Sequence, residues 1–208
     1  MIQLKVSKAL KSLHLSFSFQ ANSNRIVLFG PSGSGKTLLL KMIAGFFDPD
    51  NGKITINDTS FFDAADNASL PIHQRNIGYL PQEYTLFPNM NVCENILYGL
   101  KARKLALDKT HFQYLIERLG ISNTLDSYPS QLSGGQQQRA ALARSLMVSP
   151  DVLLLDEPFS ALDSSIRESL RDLVIDIADE FDITTLFVTP DLEEAFIYGR
   201  EIVLVNEG

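Results

Sequence analysis

Residues 26 to 38 read Ile26-Val27-Leu28-Phe29-Gly30-Pro31-Ser32-Gly33-Ser34-Gly35-Lys36-Thr37-Leu38. An apolar run enters a Gly-x-x-x-x-Gly-Lys-Thr loop and apolar periodicity resumes beyond it. The segment therefore predicts a buried strand, a phosphate-binding turn and a helix over Leu38 to Phe46. Glycines allow the turn to aim its N–H groups inward at phosphate oxygens, and the helix N-terminus adds partial positive charge. Lys36 brings a full charge toward the β and γ phosphates, and Thr37 offers Mg²⁺ a hydroxyl. The candidate contacts are Gly30, Pro31, Ser32, Gly33, Ser34, Gly35, Lys36, Thr37 and Leu38. A glycine-rich turn that binds nothing is the alternative, and the strand-loop-helix setting argues against it.

Further buried runs follow the same rule. Val152 to Leu155 leads into Asp156-Glu157-Pro158, and Thr185 to Val188 into Thr189-Pro190-Asp191. Continuously apolar runs of this length suit strands covered on both faces of a parallel sheet. Between them lie helical stretches, Gln136 to Val148 and Ser164 to Glu180, so the fold class is α/β with a doubly wound core. Ligands of such sheets collect at the carboxyl ends of the strands. Asp156 there would hold Mg²⁺ through water, and Glu157 could take a proton from an attacking water as general base. An Asp-Glu pair alone is more often a solvated loop; beside a phosphate loop it reads as catalytic.

The chain has 208 residues, 45% hydrophobic, with 18 basic and 25 acidic side chains, which permits one globular domain with a subdomain. A net charge of −7 excludes a broad polyanion-binding surface, so nucleic acid is not an expected partner. Cys93 is the only cysteine, and no signal-like or membrane-length apolar run is present, which points to the cytoplasm. Residues 1 to 20 alternate with period two and predict an antiparallel N-terminal β subdomain. From about 83 to 133 the composition predicts an inserted helical subdomain, with helices near Val92 to Lys104 and Thr110 to Leu119. A last apolar run, Ile202 to Val205, leaves no room for a C-terminal regulatory domain.

Leu132-Ser133-Gly134-Gly135-Gln136 opens the Ala-rich helix with Ser133 as N-cap, a second helix N-terminus able to meet phosphate. On generic rules it is no more than a cap. Taken with the order of the other motifs, however, the chain resembles the ATP-binding cassette ATPases along essentially its whole length. Leu132 to Gln136 matches their signature motif, Gln82 their glutamine loop, and Ser160-Ala161-Leu162-Asp163 their dimer-interface loop. The resemblance implies a P-loop ATPase core, with ATP and Mg²⁺ as cofactors. It implies a homodimer holding ATP between the phosphate loop of one copy and Ser133, Gly134, Gly135 and Gln136 of the other. Gln82 would join Thr37 and Asp156 at Mg²⁺ and assist Glu157 and Lys36 in hydrolysis. The helical subdomain would dock integral membrane permease subunits, placing the protein peripherally on the inner face of the cell membrane. Leu70 to Gln82 with Thr85 to Met90 is most similar to importers of molybdate, tungstate and sulfate. An oxyanion such as molybdate is the solute expected, touched only by the permease and a separate binding protein.

Two departures stand out. The family places a histidine after the strand equivalent to Thr185 to Val188, where it contacts the γ-phosphate; this chain has Pro190. Generic rules instead read Thr189 as N-cap and Pro190 as the first residue of a helix. Retained ATP binding with slowed hydrolysis is expected, and an ATP-gated dimerising regulatory module with weak turnover is the alternative function. His14, His73 and His111 are no obvious substitutes. The family also stacks adenine on an early aromatic; Val6 to Leu15 supplies none, and Phe17 and Phe19 lie in register for core packing.

Overall fold

The computed structural model describes residues 1–10, 13–83, 85–160 and 163–206. In chain order the strands and helices are β1 (Ile2–Leu10), β2 (Leu13–Ala21), β3 (Arg25–Phe29), α1 (Lys36–Ala44), β4 (Asn51–Ile56), β5 (Thr59–Asp63), β6 (Ala68–Ser69), β7 (Ile77–Leu80), α2 (Val92–Arg103), α3 (Lys109–Arg118), α4 (Gly134–Leu146), β8 (Val152–Asp156), α5 (Ser164–Glu180), β9 (Thr184–Thr189), α6 (Leu192–Tyr198) and β10 (Glu201–Leu204). They form two compact units, residues 1–75 with 184–208, and residues 76–183.

In the first unit an antiparallel sheet runs in the order β2-β1-β4-β5-β6. Ile2, Leu4, Val6, Leu15 and Phe17 are buried while their neighbours on the strands face outward, which is the period-two pattern realised as a half-buried sheet. β4, β5 and β6 were not among the expected strands. Their signal is short: Asn57 and Asp58 both take positive φ, 46° and 65°, and turn β4 back onto β5 as residues tolerant of that region do in tight hairpins. The same unit holds a parallel set in which β3 lies between β10 and β9, with Ile26 opposite both Ile202's neighbour Glu201 and Leu186. Ile26, Val27, Leu28, Leu186, Phe187 and Val188 have no exposed surface, as the uninterrupted apolar runs require.

Helix α1 starts at Lys36, two residues ahead of the expected Leu38, because Gly35 serves as its N-cap in a left-handed conformation. Its other end is closed by a buried guanidinium. Arg75 donates to the carbonyls of Met42 (2.9 Å), Ile43 (2.7 Å), Phe61 (3.1 Å) and Leu70 (2.8 Å), so one side chain ties α1 to β5 and to the segment before β7. The start of α6 corrects another expectation. Asp191, not Thr189, is the N-cap, because its carboxylate accepts from the N–H groups of Glu193 and Glu194. Thr189 ends β9 and Pro190 lies outside the helix, exposed.

The second unit contains the parallel pair β7 and β8, with Ile77 opposite Val152 and Leu80 opposite Leu155. Between residues 83 and 133 the described residues form α2, α3 and short 3-10 turns, and no strand. Helix α4 begins at Gly134 rather than Gln136, with Ser133 as N-cap as expected, and α5 spans Ser164–Glu180 as its spacing predicts.

Candidate functional site

The phosphate loop belongs to the first unit. An added Cβ at Gly30 would stand 2.0 Å from the carbonyl oxygen of Val205, so only glycine lets the chain leave β3 beside the end of β10. Gly35 has a φ of 92°, a conformation costly for residues with a Cβ. Gly35, the N-cap, has no side chain to cap α1 at that end. Lys36 is 4% exposed, and its Nζ donates to Gly30 O (2.8 Å), Pro31 O (2.7 Å) and Ser34 Oγ (3.3 Å). These acceptors are neutral, so an ammonium is held inside a ring of loop backbone at a helix N-terminus, where both charges favour an anion. Ser34 is buried, Thr37 and Leu38 are half-buried, and Pro31, Ser32 and Gly33 are exposed.

The acidic pair belongs to the second unit. Asp156 closes β8 and is 2% exposed. Tyr79, on the neighbouring β7, donates from its hydroxyl to Asp156 Oδ2 at 3.3 Å. Burial, and then the Asp156 charge, push the Tyr79 phenol well above its ordinary pKa, so it stays protonated and remains a donor. Glu157, half-buried, has a φ of 45°, rare for a residue with a side chain, and its carbonyl accepts from Ser160 N (3.3 Å) and Ser160 Oγ (2.9 Å). Gln82, exposed just past β7, places Nε2 3.4 Å from Glu157 Oε2. Of the expected catalytic residues, Gln82 and Glu157 are thus brought together.

At α4, Ser133 Oγ accepts from Gln136 N (3.3 Å) and Gln136 Oε1 accepts from Ser133 N (2.9 Å), a reciprocal capping box. Ser133 and Gly134 are exposed and Gly135 half-buried, so the N-terminus of α4 opens to solvent. In the expected dimer-interface loop, Ala161 and Leu162 lie outside the described residues. Phe17 is buried and Phe19 half-buried, in keeping with core packing. His14 and His73 are exposed, and the ring of His111 packs edge-on against Phe181 with centroids 5.2 Å apart. Sequence reasoning missed Tyr79, whose tie to Asp156 depends on the β7–β8 pairing and has no local signature.

Thr37 in the first unit offers a hydroxyl and Asp156 in the second a carboxylate, each an oxygen ligand of the kind a hard cation takes. Among the described residues no cluster of three or more His, Cys, Asp or Glu could hold an ion by itself. Among them, too, no helix is long and apolar enough to cross a membrane.

The sequence model of the family described as ABC transporter matches residues 13–160. The Fe(3+) ions import ATP-binding protein FbpC 2 of Pectobacterium atrosepticum is 42% identical over 200 residues, 96% of this chain and 56% of that protein. The sulfate/thiosulfate import ATP-binding protein CysA of Bacillus cereus is 43% identical over 207 residues, 97% of this chain and 56% of that protein. The chain therefore spans about half the length of the curated relatives it matches. Among solved structures, the ATP-binding cassette MJ0796, a dimer in a post-hydrolysis state bound to ADP and Pi, superposes with a TM-score of 0.82 at 27% identity, covering 100% of this chain and 95% of that one.

Proposed function

This chain belongs to the ABC transporter family, and from that premise we propose that it is the ATP-binding and hydrolysing subunit of an importer. The observation that carries the reading is Lys36, enclosed by its own loop at the uncapped N-terminus of α1. Gly30 to Leu38 take the triphosphate, with Lys36 on the β and γ phosphates. Thr37, Asp156 and Gln82 are assigned to Mg²⁺, which when bound neutralises phosphate charge. Glu157 accepts the proton of the attacking water and Gln82 helps to orient that water. Ser133, Gly134, Gly135 and Gln136 complete the site of a second copy, a reading supported by the dimeric state of the MJ0796 cassette.

The partners proposed are membrane permease subunits, which hold the protein peripherally at the inner face of the cell membrane. The solute class is a small oxyanion. Relatives named for sulfate/thiosulfate support that class, a relative named for Fe(3+) keeps the cation open as a comparison, and molybdate is the particular oxyanion suggested by Leu70 to Met90. The helices of residues 83–133 are proposed as the permease-docking subdomain.

Calorimetry with Mg-ATP on wild type and Lys36→Ala tests the core of this. Wild type is expected to bind and the variant to lose at least tenfold in affinity; no heat from either protein overturns the reading. Turnover after reconstitution with permease and binding protein, stimulated separately by sulfate, thiosulfate, molybdate and Fe(3+), assigns the solute.

A further inference from the structure

Gln138 lies in the second turn of α4 with no exposed surface. Its Nε2 donates to the carbonyl of Pro158, the residue after Glu157, and only the amide nitrogen can serve there, which fixes the orientation of the carboxamide. Its Oε1 is buried and has no hydrogen-bond partner among the described residues. A buried carbonyl oxygen left unsatisfied costs stability, so an unbranched apolar side chain such as methionine would serve packing at least as well. The stretch that Gln138 grips is under constraint. Glu157 sits at a φ of 45°, and its own carbonyl takes two bonds from Ser160. A strained residue persists only where its surroundings over-determine it. Here Ser160 holds the carbonyl of Glu157 and Gln138 the carbonyl of the next residue, Pro158, so two successive peptide units are tied down.

We propose that Gln138 is a positioning residue for Glu157: through Pro158 it fixes the backbone from which the general base projects, and so links α4, whose N-terminus carries Ser133 to Gln136, to the hydrolytic step. The catalytic part of this rests on the proposed ATPase reading; the clamp itself does not.

Gln138→Met and Gln138→Glu, in the full chain, test it. In Gln138→Met one unsatisfied buried oxygen, Oε1, is exchanged for another, the Pro158 carbonyl, so the melting temperature should stay close to wild type, amide exchange at Phe159 and Ser160 should rise at least fivefold, affinity for Mg-ATP should change less than twofold, and kcat should fall about tenfold or more. Gln138→Glu can donate to the Pro158 carbonyl only when protonated, so its kcat relative to wild type should recover as pH falls. Unchanged exchange at residues 159 and 160 in Gln138→Met overturns the clamp. Raised exchange with unchanged kcat overturns its catalytic role, as does a lowered melting temperature with an activity loss in Gln138→Glu that is the same at every pH. Wild type that neither binds nor turns over ATP, with the exchange effect intact, would count against the ATPase reading and not against the clamp.

Discussion

Gln82 Nε2 stands 3.4 Å from Glu157 Oε2, joining the residue just past β7 to the residue just past β8. The contact is at the long limit of a hydrogen bond, which leaves the glutamine able to turn toward another acceptor. The two should therefore separate in kinetics. Glu157→Gln removes the base and is expected to lower ATP turnover by about 10²- to 10⁴-fold while Mg-ATP binding persists. Gln82→Ala removes an orienting group, and a loss nearer tenfold is expected. Phosphate release under saturating Mg-ATP measures both; a Glu157→Gln protein with wild-type turnover would remove the carboxylate from the mechanism.

Tyr79 supplies a pH dependence whose sign follows from its environment. In the folded protein its pKa is raised above the ordinary 10.0, first by burial and then by Asp156. An unfolded chain therefore loses the phenolic proton before the folded one does. The contribution is fully present below pH about 10 and is lost as pH rises through the folded value. Chemical denaturation between pH 8 and pH 11 should show wild type losing stability faster than Tyr79→Phe over the alkaline end of the series. Equal slopes would mean that Tyr79 is not held protonated by its surroundings. Because Tyr79→Phe also takes a donor from Asp156, a modest rise in the Mg²⁺ concentration needed for half-maximal activity is expected alongside it.

Much of this architecture is legible in the sequence because the informative signals are local. The run Ile26 to Phe29 with its glycine loop, the capping box of Ser133 and Gln136, and the spacing of α5 each need only neighbouring residues to be read. β4 to β6 escaped because short, partly exposed strands carry weak periodicity, and the hairpin turn at Asn57-Asp58 lacks the glycine that usually announces one. The boundary of α6 escaped for another reason. Thr189, Pro190 and Asp191 all suit a helix start, and Asp191 takes it, while the Thr189 hydroxyl is engaged elsewhere, donating to the buried Glu194 carboxylate at 2.7 Å and accepting from Asp191 N at 3.0 Å. The bonds from Tyr79 to Asp156 and from Gln138 to Pro158 span 77 and 20 residues, and no residue type at those positions announces its partner.

Arg75 shows the energetic side of a long-range tie. Its guanidinium is 3% exposed and serves backbone carbonyls at the end of α1 and in two neighbouring segments. Arg75→Met keeps much of the volume but strands several buried acceptors, so a loss of about 3 kcal/mol is expected, or roughly 6 to 12 °C in melting temperature for a chain of this size. Arg75→Lys should recover little, since a single ammonium cannot reach acceptors arranged around a planar fork. Thermal unfolding of the three proteins side by side decides this, and a lysine variant as stable as wild type would show that charge and not geometry matters.

Pro190 stands where the resemblance leads one to expect a histidine, and the structure makes the position easy to test. It is exposed and precedes the N-cap Asp191, so it contributes neither a helix position nor core packing. Within the first unit Thr189 pairs with Phe29, the residue leading into the phosphate loop, which sets residue 190 one step past the strand end beside β3. A histidine introduced there restores a backbone N–H and adds an imidazole able to donate to phosphate oxygen without disturbing a capped helix. Pro190→His is expected to fold with unchanged stability and to raise the single-turnover rate of ATP hydrolysis about tenfold, the scale of one added contact to developing charge. Rapid-quench measurement with enzyme in excess over Mg-ATP reads that rate free of product release. An unchanged rate would mean that Glu157 and Gln82 suffice for hydrolysis in this chain, and that a γ-phosphate contact from this strand end plays no part in its chemistry.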